Sequence, residues 1–298
     1  MERAAHLRVY AMLVLVMLFW AGNSIVGRAV HEEIAPFTLA LARWAGAFVL
    51  LAPLAWKQAR ADWPVARRHW RMILLLGALG VAAFNALLYS GLAHTTATNS
   101  VLIQAGIPAL VLVLGLVLFH ERPAVTQVIG VTIAAFGAAV IVAQGDLSVL
   151  ASLRFGYGDV LIVAAALIWA FYTVLLRARP TIHPLSFLLL TFAIGAIAMA
   201  PLAAGEWAAR PLQLTPNVLG AIAYVAVLPS VVAYFFYNKA VAAIGASDAG
   251  QMLSLQPLLG AVLAWTFLRE PLYDFHFVGM ALIALGIALP LAARLRPT

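Results

Sequence analysis

The chain has 298 residues, 65% of them hydrophobic and 10% charged, with a formal net charge of +7 and no cysteine. Soluble domains hold about 25% charged residues, so this composition, with a mean hydropathy of +1.01, excludes an ordinary globular domain. The missing cysteines exclude disulfides and thiolate metal sites.

A bilayer core of about 30 Å needs about 20 apolar residues per helix. Ten such spans follow in chain order: 8–27, 36–56, 70–93, 96–119, 124–143, 157–178, 184–204, 216–241, 246–268 and 274–293. Span one follows Arg3 and Arg8 as a secretory leader would, yet its run continues to Gly27 and has a counterpart in mid-chain, so it reads as a membrane helix. Between spans two and three, Trp63, Pro64, Arg67, Arg68 and Trp70 predict an interfacial loop with aromatic and basic anchors. The connections His94–Thr96 and His120–Ala124 are short enough to force antiparallel neighbours. Pro108 in span four and Pro257 in span nine each remove a backbone donor, which predicts a kink around a central space. Gly130 and Gly137 in span five lie on one helical stripe, as do Gly279 and Gly286 in span ten, and both stripes permit close backbone approach. Gln144–Gly156 is the one extended connection.

That connection separates two copies of one plan, residues 1–148 and 149–298. At an offset of 149, Trp20 matches Trp169, Arg28 matches Arg177, Pro108 matches Pro257, Glu121 matches Glu270, and Gly130 and Gly137 match Gly279 and Gly286. Five spans per copy make the second enter the membrane from the opposite side. The expected fold is therefore all-α, ten transmembrane helices as two inverted five-helix repeats, a transporter signature with two related gates around one central site. With the N-terminus inside, twelve basic residues (Arg3, Arg8, Lys57, Arg60, Arg67, Arg68, Arg71, Arg122, Arg177, Arg179, Arg294, Arg296) fall inside and four (Arg28, Arg154, Arg210, Arg269) outside. The positive-inside rule then puts both termini in the cytoplasm. It also accounts for the positive charge without nucleic acid.

Polar and aromatic residues recur at corresponding places in the copies. Trp20, Asn23 and Ser24 share one face of span one, and Trp169, Tyr172 and Thr173 share the matching face of span six. Asn85 and Tyr89 in span three are answered by Tyr234 and Asn238 in span eight, the two residue types exchanged. Asn99 in span four and Gln251 in span nine extend the set. Lipid offers such groups no partners, so they are expected to face the interior and line a substrate path. Each also has a plainer use: aromatic side chains form interfacial belts, and hydroxyls and amides tie helices together.

Arg43 is the one charge well inside a span, at a cost of about 2.5–3.5 kcal/mol at a helix centre. It serves either as a gate or carboxylate anchor, or as a structural tie to a backbone carbonyl or to Glu270. Glu121 and Glu270 end spans four and nine and are expected to pair with basic neighbours, with gating secondary. Lys239 and Asp248 are expected to pair. No Asp or Glu falls near the centre of a span, which predicts transport without proton coupling. No cofactor, ATP motif or metal cluster is legible. An intramembrane lipid-modifying enzyme, the alternative from another class, would have to use His94, Glu121 or Asp248, none beside a catalytic constellation.

The chain resembles the EamA-type carriers of the drug/metabolite transporter superfamily. The likeness rests on Phe19-Trp20-Ala21-Gly22-Asn23, Ala42-Arg43-Trp44, Pro108, the junction Phe119-His120-Glu121-Arg122-Pro123, and Gly130 with Gly137. In the second copy it rests on Ile168-Trp169-Ala170, Pro257, Leu268-Arg269-Glu270-Pro271, Gly279 and Gly286. The pattern is most similar to YddG-like exporters of aromatic and other amino acids. The resemblance implies a bacterial inner-membrane exporter working by alternating access on a small-molecule substrate, with drugs or other metabolites as the alternative cargo.

Overall fold

The computed structural model describes residues 2–146, 156–269 and 271–295, with side chains described for all of these except 2–6, 97, 98, 268, 294 and 295. Every regular element among them is helical. In the first repeat, α1 is Glu2–Ala29, α2 is Pro36–Arg68, α3 is Trp70–Leu92, α4 joins Ala97–Gln104 to Ile107–Phe119, and α5 is Val125–Val142. In the second, α6 is Tyr157–Ala178, α7 is Pro184–Trp207, α8 is Pro216–Ile244, α9 runs from Ala246–Gln251 through a 3₁₀ turn, Met252–Ser254, into Leu255–Leu268, and α10 is Asp274–Leu295. Nine of these, among the described residues, are each long and apolar enough to cross a bilayer. The tenth, α9, is divided by its 3₁₀ turn.

The helix ends follow local chemistry. Pro36, Pro184 and Pro216 open α2, α7 and α8, where a missing N–H costs nothing. Thr96 and Thr215 cap α4 and α8, their hydroxyls accepting from Asn99 N at 3.1 Å and Val218 N at 3.2 Å. His120 (φ 57°) and Arg269 (φ 55°) end α4 and α9 in the left-handed conformation at repeat-related positions. Pro108 and Pro257 each follow the break in their helix, at Ala105–Gly106 and Met252–Ser254, by two or three residues.

The repeats interlock. α2 packs along α7 and α5 along α10, while α1 lies against α8 and α9 and α6 against α3 and α4. The glycine stripes set the α5–α10 approach: a Cβ on Gly130 would sit 2.3 Å from Gly286 O, and one on Gly137 would sit 2.7 Å from Gly279 O. Val49, Leu54, Val117, Phe136 and Ile197 are exposed on the outside of the bundle, as lipid-facing residues should be.

Ten antiparallel spans define two ends. At the terminal end, where α1 begins and α10 stops, Glu121 pairs with Arg177, whose guanidinium lies 4.3 Å from the Phe119 ring. Asp248 accepts from Gln127 Nε2 at 2.5 Å and Tyr10 OH at 3.3 Å, tying α9 to α5 and α1. At the far end, Glu206 of α7 accepts from Phe37 N at 3.1 Å and Thr38 N at 2.8 Å, completing the first turn of α2. Glu33 accepts from Thr215 and from Asn217 Nδ2 at 3.0 Å, and those bonds hold its carboxyl below the usual carboxylate range.

Two expectations need correction. Trp63, Pro64, Arg67 and Arg68 are not loop: α2 continues as one 33-residue helix to Arg68. At 1.5 Å per residue it spans about 50 Å and leaves the hydrocarbon, where its exposed basic residues suit a helix as well as a loop. Asp248 is bonded to Gln127 and Tyr10, and Lys239 is exposed instead of paired with it. Glu270 and linker residues 147–155 lie outside the described residues.

Candidate functional site

Where the repeats cross, seven aromatic rings close on one another. Trp20 of α1 meets Trp169 of α6 at 5.2 Å between centroids, Tyr237 of α8 at 5.1 Å and Tyr234 at 5.8 Å. Trp169 also touches Phe84 at 4.8 Å and Tyr172 at 5.3 Å. Trp44 of α2 packs on Tyr234 at 5.4 Å. Several pairs are edge-to-face, an arrangement worth about 0.5–1.5 kcal/mol per pair beyond burial. Both repeats contribute, so sliding one against the other must open this cluster.

The polar frame comes from a backbone irregularity. α3 and α8 each contain a six-residue π-helical segment, Ala78–Ala83 and Val227–Val232, in register at the repeat offset. Such a segment widens the turn and releases a carbonyl from the helical ladder. In α8 the Pro229 carbonyl accepts from Trp20 Nε1 at 2.9 Å and from Arg43 Nη2 at 3.1 Å. In α3 the repeat-related Gly80 carbonyl accepts from the Tyr234 hydroxyl at 2.7 Å. A Cβ on Gly80 would lie 2.4 Å from the Tyr172 ring, so only glycine lets that ring in. Arg43 Nε also donates to Ser230 Oγ at 2.6 Å, and Ser230 Oγ donates on to Val225 O at 2.7 Å.

The two ends of the site differ. On the terminal side Tyr172 OH donates to Asn238 Oδ1 at 2.9 Å, and Thr173 Oγ1 lies 3.0 Å from the Tyr237 hydroxyl. Tyr172 and Thr173 are 1% and 0% exposed. By the repeat offset their counterparts on the far side are Asn23 and Ser24 on α1, and the counterpart of Asn238 is Tyr89 on α3. Here Asn23 is half-buried, Ser24 is exposed, and neither bonds the half-buried Tyr89, which rests on Phe37 at 6.2 Å. At the terminal end the tyrosine–asparagine pair is hydrogen-bonded, whereas among the described residues the repeat-related pair at the far end is not.

Of the residues expected to line a path, the structure brings together Trp20, Trp169, Tyr172, Thr173, Tyr234 and Asn238. Asn85 turns back on its own helix, donating to Val81 O at 2.8 Å. Asn99 donates to Asp159 Oδ1 at 3.0 Å at the far end, and Gln251 donates to Gly286 O at 2.9 Å, so both tie helices together. Arg43 takes the tie to a backbone carbonyl in this conformation. The sequence reading missed Tyr237, although it lies one turn beyond Tyr234 on the same face. It also missed Gly80 and Pro229, which match only by position and share no side-chain chemistry.

Two segments of the chain, 7–143 and 156–291, each match the EamA-like transporter family. An uncharacterized transporter of Bacillus subtilis, YyaM, is 27% identical over 95% of this chain and 93% of its own length. A probable terminal-alkyne amino-acid exporter of Streptantibioticus cattleyicolor is 28% identical over 93% of this chain and 91% of its own. A solved crystal structure superimposes with a TM-score of 0.74 over 97% of this chain and 99% of that one, at 18% identity, a likeness of fold. With both helical repeats matched and these relatives aligned over more than nine-tenths of their length, this membrane protein belongs to the EamA-like transporter family.

Proposed function

We propose that the protein is a secondary transporter that exports amino acids, aromatic and other neutral ones, across the bacterial inner membrane by alternating access, with both termini cytoplasmic. The carrying observation is the closed aromatic cluster at the crossing of the repeats. Its ring faces suit an ammonium group and an apolar side chain together, and amino-acid cargo agrees with the printed description of the Streptantibioticus relative. The two repeats act as one transport unit. In this reading the Tyr172–Asn238 bond closes the cytoplasmic side while the unbonded Asn23–Tyr89 pair leaves the outer side free to open; in the opposite state the second pair closes and the first opens. The glycine and proline breaks of α4 and α9 give the bending points.

Labelled-amino-acid counterflow in proteoliposomes tests the reading. Phenylalanine, tryptophan and leucine are expected to exchange, and Trp169→Ala, which strips one ring from contact with five others, is expected to slow exchange on the order of tenfold or more. If no amino acid exchanges while a drug or other metabolite does, the alternative cargo replaces this one. Transport is facilitative in this reading, so an imposed pH gradient is expected to leave net flux unchanged; flux that follows the gradient would refute that part.

A further inference from the structure

The aromatic cluster has more hydrogen-bond donors than acceptors. Trp44 Nε1, Trp169 Nε1 and Asn238 Nδ2 are buried without a partner. The Tyr237 hydroxyl is the near neighbour of Trp169 Nε1, but the two complete no bond. The three residues are 0%, 4% and 3% exposed, and all three orphans are N–H groups on one cluster. Beside Trp44 stands a guanidinium. Arg43 is 5% exposed, 4.3 Å over the Trp44 ring, and bonded only to the neutral Ser230 and Pro229 oxygens. A guanidinium has five N–H groups; two are used here, and no carboxylate lies within ion-pair distance among the described residues. A buried charge without a counter-ion costs several kcal/mol, more than a purely structural tie to two neutral oxygens explains.

Placement adds to this. Arg43 sits seven residues from the start of α2, on the far-end side of the rings, the side of the unbonded Asn23 and Tyr89. Its Nη2 shares the Pro229 carbonyl with the Trp20 indole, so an anion arriving there meets two donors already converging on one oxygen.

We propose that Arg43 is the anchor for a cargo carboxylate, with the unpartnered indole N–H of Trp44, whose ring the guanidinium already touches, completing its coordination as the cluster opens. This rests on the amino-acid reading and assigns the group that distinguishes such cargo. One positive charge matches one negative charge, so a monocarboxylate fits better than a doubly charged phosphomonoester. The ammonium end has only ring faces to meet, since the cluster contains no acidic residue; a zwitterion is neutral overall, so in the filled site the carboxylate offsets Arg43 and the remaining positive charge is the ammonium against the rings.

The test is competition for counterflow, and thermal-shift binding, with phenylalanine, phenylalaninamide (no carboxylate) and 3-phenylpropionate (no ammonium). Wild type is expected to prefer the two carboxylates over the amide by about tenfold or more. Arg43→Gln is expected to bring that ratio near one, and Arg43→Lys to preserve part of it. Ser230→Ala removes the tie while keeping the charge, and it is expected to preserve the ratio in full. Equal competition by acid and amide in wild type would overturn the proposal. So would a retained ratio in Arg43→Gln, or its loss in Ser230→Ala as complete as in Arg43→Gln. The two readings separate cleanly: phenylalanine exchange with no preference for the acid keeps amino-acid export and removes the anchor. Arg43-dependent binding of phenylpropionate without phenylalanine exchange does the reverse.

Discussion

Gly130→Leu is expected to prevent the transporter from assembling. A Cβ at this position would stand 2.3 Å from Gly286 O, 2.7 Å from Gln251 Nε2 and 3.1 Å from Pro290 Cδ. The reciprocal approach is as tight, since a Cβ on Gly286 would be 2.5 Å from Gly130 O and 2.8 Å from Ala134 N. Three of these five obstacles, Gly286 O, Gly130 O and Ala134 N, are backbone atoms of packed helices, so relief requires α5 and α10 to part along their length. The same movement breaks the Gln251–Gly286 bond that ties α9 to α10. Overpacking usually costs about 1–3 kcal/mol where side chains can give, and here backbone must give. Size-exclusion profile and thermal stability in detergent measure the outcome. Gly220→Leu is the control, because a Cβ there meets nothing within 4 Å. Equal stability of the two variants would mean that α5 and α10 do not approach as described.

The second large effect is on the balance between conformations. Tyr172→Phe removes one oxygen, and with it the bond to Asn238 that shuts the terminal side. The buried Asn238 oxygen is left without a donor, at a cost of about 1–3 kcal/mol borne only by the terminal-closed state. At a factor of ten per 1.4 kcal/mol, that moves the population toward the opposite state by roughly five- to over a hundredfold. Tyr89→Phe removes the hydroxyl of the repeat-related pair, which bonds nothing here, so it leaves this state untouched and weakens the other. The natural absence of cysteine makes the readout clean. A single Ser24→Cys, exposed in this conformation, is expected to react more slowly with a thiol reagent in the Tyr172→Phe background and no more slowly in the Tyr89→Phe background. The reverse order would remove these pairs from gating.

Much of the plan was legible in the chain because it depends on periodicity and duplication. An apolar run of about 20 residues has few stable fates in lipid. The 149-residue offset aligned Trp20 with Trp169, and the glycine stripes of α5 and α10 met as their spacing predicted. The sequence placed Tyr172 and Asn238 among interior candidates but did not pair them, and nothing in the order of residues says which of two repeat-related pairs is bonded. Helix extent was harder to read: α2 outruns its apolar stretch because a helix leaving the membrane needs no hydrophobicity to persist.

Sequence alone therefore determined the helices, their inversion and the residues able to form a polar and aromatic interior, since each follows from local composition against a lipid solvent. Tertiary structure decided which of those residues meet. Asn99 and Gln251 went to interhelical ties, Tyr237 joined the rings, and Arg43 found Pro229 only because a π-helical turn in α8 turns that carbonyl toward it. The reason is that a released carbonyl and the donor that takes it lie on different helices 186 residues apart, and their encounter is set by how the two repeats interlock.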